Sequence, residues 1–224
     1  MEEPMAASKI NYSRQSRIFN PANQKTKIIV CGVGSVGSFV TLTLAKLGFT
    51  NIEAIDFDKI EAENIPNQFY RVQDIGKFKV DALQEIVEDY SGLKIKTNKT
   101  KIDGKFNFDL TMNTILVLSL DNMETRDLIF KMMVGMPVVL LDTRMGGSEY
   151  QIYAYDMMKK EDVEKCAGDM KQQISEVICG ERSVIYTILS IASEACNIVK
   201  QIDKGEKYFK TIKRSMEGLV ILGK

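Results

Sequence analysis

The sequence contains no histidine and no tryptophan, and it has only four cysteines among its 224 residues. Without histidine the chain has no imidazole general base and no catalytic triad built on one. The cysteines form no Cys-x-x-Cys pair, so the usual ligand set of a Cys/His zinc site is missing and we expect no zinc. Chemistry in this protein must therefore use carboxylates, lysine, arginine, cysteine or a bound metal ion.

The chain also lacks an excess of charge of either sign, with 30 basic and 30 acidic residues. It therefore has no global field that would attract nucleic acid or an anionic membrane, and we expect neither as a partner. No apolar run approaches the roughly 18 residues needed to cross a bilayer. The N-terminal sequence MEEPMAASKINYSRQSR has no apolar core of the kind found in signal peptides. We expect a cytoplasmic protein.

From residue 27 onward, short apolar runs alternate with segments whose apolar residues recur at helical spacing. The run 27–31 ends in glycines and is followed by helical spacing over 35–47, and a second apolar run over 51–55 ends at Asp56. This order predicts a βαβ unit with two parallel strands.

The pattern then continues and changes character toward the C-terminus. Apolar runs indicate buried parallel strands, whereas alternation indicates a strand with one exposed face. We predict helices near 80–90, 123–133 and 183–199, buried strands at 115–120 and 137–141, an alternating strand at 150–155 and an edge strand at 217–222.

These elements predict an α/β fold of the Rossmann type. Its sheet is mostly parallel, with helices on both faces and an antiparallel extension toward the C-terminus. We expect an N-terminal leader over 1–20 and a single domain over 21–224. The charged, weakly patterned segment at about 157–180 is predicted to be a mobile crossover loop.

Gly32, Gly34 and Gly37 form a G-x-G-x-x-G motif between the first strand and the first helix. Missing side chains at such a turn let backbone amides and the helix N-terminus approach phosphate oxygens. Asp56 follows roughly 20 residues later, where an acidic side chain commonly accepts hydrogen bonds from a ribose. These residues predict nucleotide binding, but they fit a nicotinamide oxidoreductase equally well, and a purely structural glycine turn is the simpler alternative.

Several further motifs follow in a fixed order and distinguish this sequence from a dehydrogenase. In that order they resemble the ThiF/MoeB/HesA family, the bacterial relatives of the ubiquitin-activating enzymes. The resemblance covers nearly all of residues 12–145. The motifs are Tyr12-Ser13-Arg14-Gln15, Asp56-Phe57-Asp58-Lys59-Ile60, Asn64 with Gln68, Asp74-Ile75-Gly76 with Lys79, and Ser119-Leu120-Asp121-Asn122 with Arg126.

The resemblance implies an adenylyltransferase that uses ATP and Mg²⁺ to activate a carboxylate. Bringing an anion to the α-phosphate requires cations that neutralise the growing charge. By resemblance, Asp56 holds the ribose, Asn64 and Lys79 contact the phosphates, and Asp121 coordinates Mg²⁺. Arg14 reaches the terminal phosphate, often from the neighbouring subunit of a homodimer, in the manner of an arginine finger. The other nucleotide-binding positions implied are Asp58, Asn67, Gln68 and Asn122.

The resemblance also implies a protein partner, a ubiquitin-like or sulfur-carrier β-grasp protein that ends in glycine. Its tail is expected to reach Arg144, although a glycine turn explains Arg144-Met-Gly-Gly more simply. Cys179 is a candidate for a covalent link to that partner, because a helix N-terminus nearby would lower its pKa. Cys31 and Cys196 are expected to be buried structural thiols.

The sequence departs from the family pattern at Asn67, where the family usually has arginine. A phosphate-binding cation is thereby replaced with a neutral amide, and Arg71 or Lys77 is a candidate to compensate for it. The departure leaves open a weak or specialised adenylating enzyme, or a non-catalytic nucleotide-binding module. A separate variant of the main hypothesis has the carboxylate on a small molecule or nucleoside. Asn122 fits a helix cap equally well, and Arg14 fits a solvated leader position.

Overall fold

The structure of the protein, a computed structural model, describes residues 10–171, 184–218 and 220–223. The helices are α1 Ser35–Leu47, α2 Lys79–Ser91, α3 Met123–Met133, α4 Lys160–Asp169 and α5 Ile185–Asp203. The strands are β1 Lys27–Cys31, β2 Ile52–Ile55, β3 Lys96–Asn98, β4 Thr114–Leu118, β5 Val138–Gly146, β6 Glu149–Asp156, β7 Thr211–Ser215 and β8 Val220–Gly223.

Within the described ranges, the eight strands form one sheet in the order β3-β2-β1-β4-β5-β6-β7-β8. The strands from β3 to β5 pair in parallel, and β6, β7 and β8 extend the sheet in antiparallel pairs. The central strands β1 and β4 are buried along their whole length, as their continuous apolar runs predict. Strand order reverses between β1 and β4, which is where open α/β sheets bind their ligands.

Helices cover both faces of the sheet. Residues of α1, α2 and α5 share one apolar core with one face, and residues of α3 and α4 share a second core with the other. The predicted fold class is therefore confirmed: a Rossmann-type α/β sheet with an antiparallel extension. No helix within the described ranges is long and apolar enough to span a bilayer.

The structure differs from the predictions at three elements. Strand β3 lies at one edge of the sheet and is largely polar and exposed, so its three residues give no hydrophobic signal. Strand β7 lies between β6 and β8, but Ile212 is its only apolar residue, so it also gives no hydrophobic signal. The expectation of a loop over 157–180 is wrong for Lys160–Asp169, which form α4 and bury Cys166 against the sheet. Residues 172–183 lie outside the described ranges.

The described part of the leader packs at the C-terminal end of α1. The Gln15 side-chain amide donates a hydrogen bond to the Leu47 carbonyl at 2.6 Å, and Phe19 stacks on Phe49 with centroids 4.8 Å apart. A helix of 13 residues is roughly 20 Å long. The leader and the glycine turn therefore contact opposite ends of the same helix.

Candidate functional site

A cleft of about 1390 Å³ opens at the carboxyl ends of the central strands. It lies where the strand order reverses, and most of the residues that the sequence predicts for the site line it. These are Gly32, Gly34, Asp56, Asp58, Asn64, Asn67, Gln68, Lys79, Asp121, Asn122 and Arg144.

The three glycines of the turn have different surroundings. Gly32 has φ +85°, and a Cβ there would lie 2.8 Å from the Ser119 carbonyl oxygen. A Cβ at Gly37 would overlap the Gly32 carbonyl oxygen. At Gly34 the nearest atom to an added Cβ is the Gln68 side-chain nitrogen, 3.8 Å away. Packing within the chain therefore explains Gly32 and Gly37, whereas the missing side chain of Gly34 leaves space in the cleft at the N-terminus of α1.

The Asp56 carboxylate is fixed at the end of β2 by backbone donors. The N–H of Val33 donates to one oxygen and the N–H of Asp58 to the other, each at 2.9 Å. Burial raises the pKa of Asp56, and the two backbone hydrogen bonds and nearby Lys79 offset part of that rise. The carboxylate is thus held in one orientation at the wall of the cleft.

Lys79 begins α2 and reaches the cleft as one half of an ion pair. Its ammonium lies 3.0 Å from the Asp58 carboxylate, and the two side chains are 10% and 49% exposed. The Lys79 backbone N–H also donates to the Asp58 carbonyl at 2.9 Å. The helix start and the loop after β2 therefore place this cation beside the carboxylates of the Asp56-Phe-Asp58 motif.

The segment from Asn64 to Gln68 lines the cleft beside the glycine turn. The Asn64 side chain accepts a hydrogen bond from the Glu61 N–H at 3.0 Å, and the Asn64 carbonyl accepts one from the Gln68 N–H at 2.9 Å. The Gln68 side-chain oxygen is buried and makes no hydrogen bond to any residue that the structure describes.

Neither of the cations expected to compensate for Asn67 lines the cleft. Arg71 is bound to the carboxylates of Asp74, Glu85 and Asp89, at 2.7 to 3.2 Å. Lys77 binds two of the same carboxylates, at 3.2 and 2.7 Å. Within one chain these two residues are thus engaged away from the cleft, and compensation for Asn67 stays a prediction.

Lys101 is a cleft cation that the sequence reasoning missed. It lines the cleft, its ammonium lies 5.6 Å from the centre of the Phe57 ring, and it forms no ion pair with the residues described. It follows β3, a strand without a hydrophobic signal, so only the position of that strand in the sheet brings it to the site.

Asp121 and Asn122 are neighbours in the chain but have different surroundings. The Asn122 side chain caps α3 by accepting a hydrogen bond from the Thr125 N–H at 2.9 Å, as the helix-cap alternative predicts. A direct contact of Asn122 with a nucleotide stays a prediction. Asp121 is exposed and lines the cleft.

A buried charge cluster lies under the cleft, and sequence reasoning missed its centre, Asp142. This carboxylate is 0% exposed and binds two guanidinium groups, those of Arg126 and Arg144, which are 4% and 3% exposed. Arg126 also donates to the carbonyls of Leu118 and Thr143, at 3.3 and 2.8 Å. An aspartate within an otherwise apolar strand was the signal that the sequence offered.

Arg144 makes further contacts away from the cleft. It donates to the Asp169 carbonyl at 2.9 Å, and its guanidinium lies 5.3 Å from the centre of the Tyr153 ring. Gly147, with φ +57°, turns the chain between β5 and β6. The glycines of this segment thus form the expected turn, and a contact between Arg144 and a substrate carboxylate stays a prediction.

The cysteines inside the described ranges are buried. Burial raises the pKa of the Cys31, Cys166 and Cys196 thiols, which disfavours the reactive thiolate. The structural role predicted for Cys31 and Cys196 agrees with this environment. Cys179, the candidate for covalent chemistry, lies outside the described residues.

Arg14 is exposed on the leader and does not line the cleft. Its neighbour Gln15 is attached to the far end of α1. Arg14 is therefore not part of the cleft of its own chain, and its contact with a phosphate stays a prediction.

The family model named ThiF family matches residues 10–212 of this chain. The NEDD8-activating enzyme E1 catalytic subunit of Arabidopsis thaliana is 38% identical over 103 residues, which are 45% of this chain and 22% of that protein. SUMO-activating enzyme subunit 2 of Dictyostelium discoideum is 29% identical over 133 residues, 55% of this chain and 19% of that protein. The chain thus spans less than a third of the length of these curated relatives.

Solved structures share the fold at low sequence identity. E. coli MccB, crystallised with AMPCPP and MccA, is similar with a TM-score of 0.75 and 19% identity, over 95% of this chain and 71% of that one. PaaA is similar with a TM-score of 0.68 and 18% identity, over 91% of this chain and 65% of that one.

Proposed function

Because the chain belongs to the ThiF family, we propose that it adenylates a carboxylate with ATP and Mg²⁺ bound in the cleft. The observation that carries this proposal is the cleft itself. It gathers the open approach at Gly34, the fixed carboxylate of Asp56, the Lys79 ammonium and the exposed Asp121 from four separate motifs. A nicotinamide dehydrogenase would not require Lys79 or Asp121.

Each of these groups suits one part of the nucleotide. The N-terminus of α1 and the space at Gly34 accept phosphate oxygens, and Asp56 accepts hydrogen bonds from ribose hydroxyls. Lys79, and with it Lys101, offsets negative charge as the substrate carboxylate approaches the α-phosphate and pyrophosphate leaves. Lys101 also supplies part of the positive charge that Asn67 does not.

The donor set of the cleft fits Mg²⁺. Mg²⁺ is commonly bound by one or two carboxylates together with substrate phosphates. Asp121 and Asp58 provide such carboxylates on the cleft wall, and no group of three or more possible ligands occurs among the described residues. We assign Asp121 as the principal ligand, and the metal when bound neutralises phosphate charge.

The carboxylate most consistent with the relatives is the C-terminal glycine of a ubiquitin-like or sulfur-carrier protein. Two relatives are named as activating enzymes for NEDD8 and SUMO, and MccB was crystallised with the peptide MccA. A flexible tail would enter beside Arg144 and Gly146, which line the cleft at the end of β5.

The homodimer is part of the same proposal. Gln15, the residue after Arg14, bonds the end of α1 that is roughly 20 Å from the glycine turn. A cleft that receives Arg14 must therefore receive it from an adjacent copy of the chain.

ATP–pyrophosphate exchange tests this function. With small proteins that end in glycine as substrates, we expect Mg²⁺-dependent exchange, and we expect Asp121→Ala to reduce it roughly a hundredfold or more. Asp127→Ala is the matched control, because Asp127 is on α3, the helix that begins just after Asp121, but pairs with Lys131 on the surface.

Three results would contradict the proposal. Unimpaired exchange in Asp121→Ala would remove Asp121 from the metal role. ATP binding without exchange for any carboxylate would favour a non-catalytic nucleotide-binding module, which the asparagine at position 67 makes reasonable. Tight binding of NADH, followed by its fluorescence, would favour an oxidoreductase.

A further inference from the structure

The described leader is attached to the rest of the chain at several separate points. Besides the hydrogen bond from Gln15 to Leu47 at 2.6 Å, the Lys204 ammonium donates to the Ile18 carbonyl at 2.8 Å. Phe19 is buried and stacks on Phe49. The leader backbone is thus held against the ends of α1 and α5.

Gly48 is a second point at which the leader closely approaches the end of α1. It ends the helix with φ +102°, a conformation that favours glycine. A Cβ at this position would lie 2.7 Å from the Pro21 Cβ and 3.1 Å from the Tyr12 Cζ. The missing side chain at Gly48 therefore lets the helix end and also lets the leader pack against it, because any larger residue would push Pro21 and Tyr12 outward.

Arg14 lies between two of these attachments but takes no part in them. The turn around it is closed by the Gln15 N–H, which donates to the Tyr12 carbonyl at 3.0 Å. The Arg14 side chain is exposed and forms no ion pair within the described ranges. The backbone around Arg14 is thus fixed, while no described residue forms an ion pair with its guanidinium.

We propose that Gln15 and Gly48 are positioning residues that hold Arg14 ready for the cleft of an adjacent copy. This inference rests on the proposed function, in which Arg14 contacts the terminal phosphate of ATP across a dimer. A cation on an already ordered segment binds without the entropic cost of ordering that segment. Loss of either residue should therefore weaken the contact of Arg14 without altering the cleft.

Comparing the affinities for MgATP and for AMP by calorimetry, at low ionic strength, tests the proposal. The terminal phosphate is present only in ATP, so Arg14→Ala should lower ATP affinity roughly tenfold or more while AMP affinity stays the same. We expect Gln15→Ala and Gly48→Ala to lower the ratio of ATP to AMP affinity in the same direction.

Gln24→Ala is the matched control. Gln24 is also a glutamine whose side chain bonds the end of α1, to the Gly48 carbonyl at 3.0 Å and to Thr50 at 2.9 and 2.8 Å. It follows Pro21 in the chain, so its loss should leave Arg14 in place and the affinity ratio unchanged.

The outcomes separate this inference from the proposed function. An unchanged ratio in Gln15→Ala and in a folded Gly48→Ala, with a reduced ratio in Arg14→Ala, overturns the positioning roles alone. An equal fall of the affinity ratio in Gln24→Ala also overturns the positioning roles, because any damage to this end of α1 would then be enough to lower the ratio. An unchanged ratio in Arg14→Ala overturns the trans contact, and failure of every nucleotide to bind overturns the proposed function.

Discussion

Gly34 and Gly37 lie in the same turn, but the structure gives them different neighbours. The space that a side chain at Gly37 would need is filled by the Gly32 carbonyl. The space beside Gly34 opens into the cleft. One glycine is therefore required by the packing of α1 on β1, and the other by the ligand that we propose.

This difference predicts that alanine at Gly37 mainly lowers stability, whereas alanine at Gly34 mainly weakens ATP binding. Gly37→Ala should lower the free energy of unfolding by about 1–3 kcal/mol, because the new methyl overlaps backbone. Gly34→Ala should cost less stability but weaken ATP binding, since its methyl would occupy the phosphate approach. Urea unfolding and ATP titration of both variants measure the two effects, and equal loss of stability would contradict the assignment.

Single residues were predictable where a motif fixed their place in the chain. The glycines, Asp56 and Lys79 carry such motifs, and the structure brings them to one cleft. Lys101 and Asp142 carry none, because their positions depend on which strands are neighbours in the sheet. Sequence spacing could not show that Arg71 and Lys77 are already bound to Asp74.

At the scale of elements, β4 and β5 are joined to α3 by buried charges. Asp142 in the middle of β5 binds Arg126 from α3, which in turn bonds the Leu118 carbonyl at the end of β4. Two cations share this one buried carboxylate. Removing one member of a buried ion cluster leaves its partners uncompensated, which is far more costly than losing a surface pair.

Asp142→Asn should therefore lower the free energy of unfolding by about 3 kcal/mol or more. The surface pair Asp127–Lys131 provides the comparison, because its side chains are 41% and 68% exposed. Asp127→Asn should change stability by about 0.5 kcal/mol or less. Chemical denaturation of both variants gives the comparison, and a small effect at Asp142 would mean that the two arginines have other sufficient partners.

The elements themselves were predictable in proportion to their burial. The central strands and α1 to α3 have apolar patterns because the core contacts them on one or both faces. Edge strand β3 and strand β7 are held by backbone pairing and bury little, so their sequences carry no such pattern. Helix α4 buries only Asp162 and Cys166, which explains why its charged sequence resembled a loop.

At the scale of the whole molecule, the described part of the leader and the cleft lie at opposite ends of α1. If each cleft in a homodimer takes Arg14 from the other subunit, two inactive variants should complement each other. A dimer of one Arg14→Ala and one Asp121→Ala subunit contains one cleft with both residues intact and one with neither. Random exchange of subunits would make half of the dimers mixed, so roughly a quarter of the wild-type exchange rate should return.

The measurement is ATP–pyrophosphate exchange after the two variants have been mixed and allowed to exchange subunits. Mixing Arg14→Ala with the double variant Arg14→Ala/Asp121→Ala is the control, because no cleft then receives an arginine. Recovery in the first mixture and none in the control would require Arg14 to act across the dimer. If neither mixture recovers, Arg14 acts within its own chain or not at all, and in the second case Lys79 and Lys101, which line this cleft, must offset the phosphate charge without it.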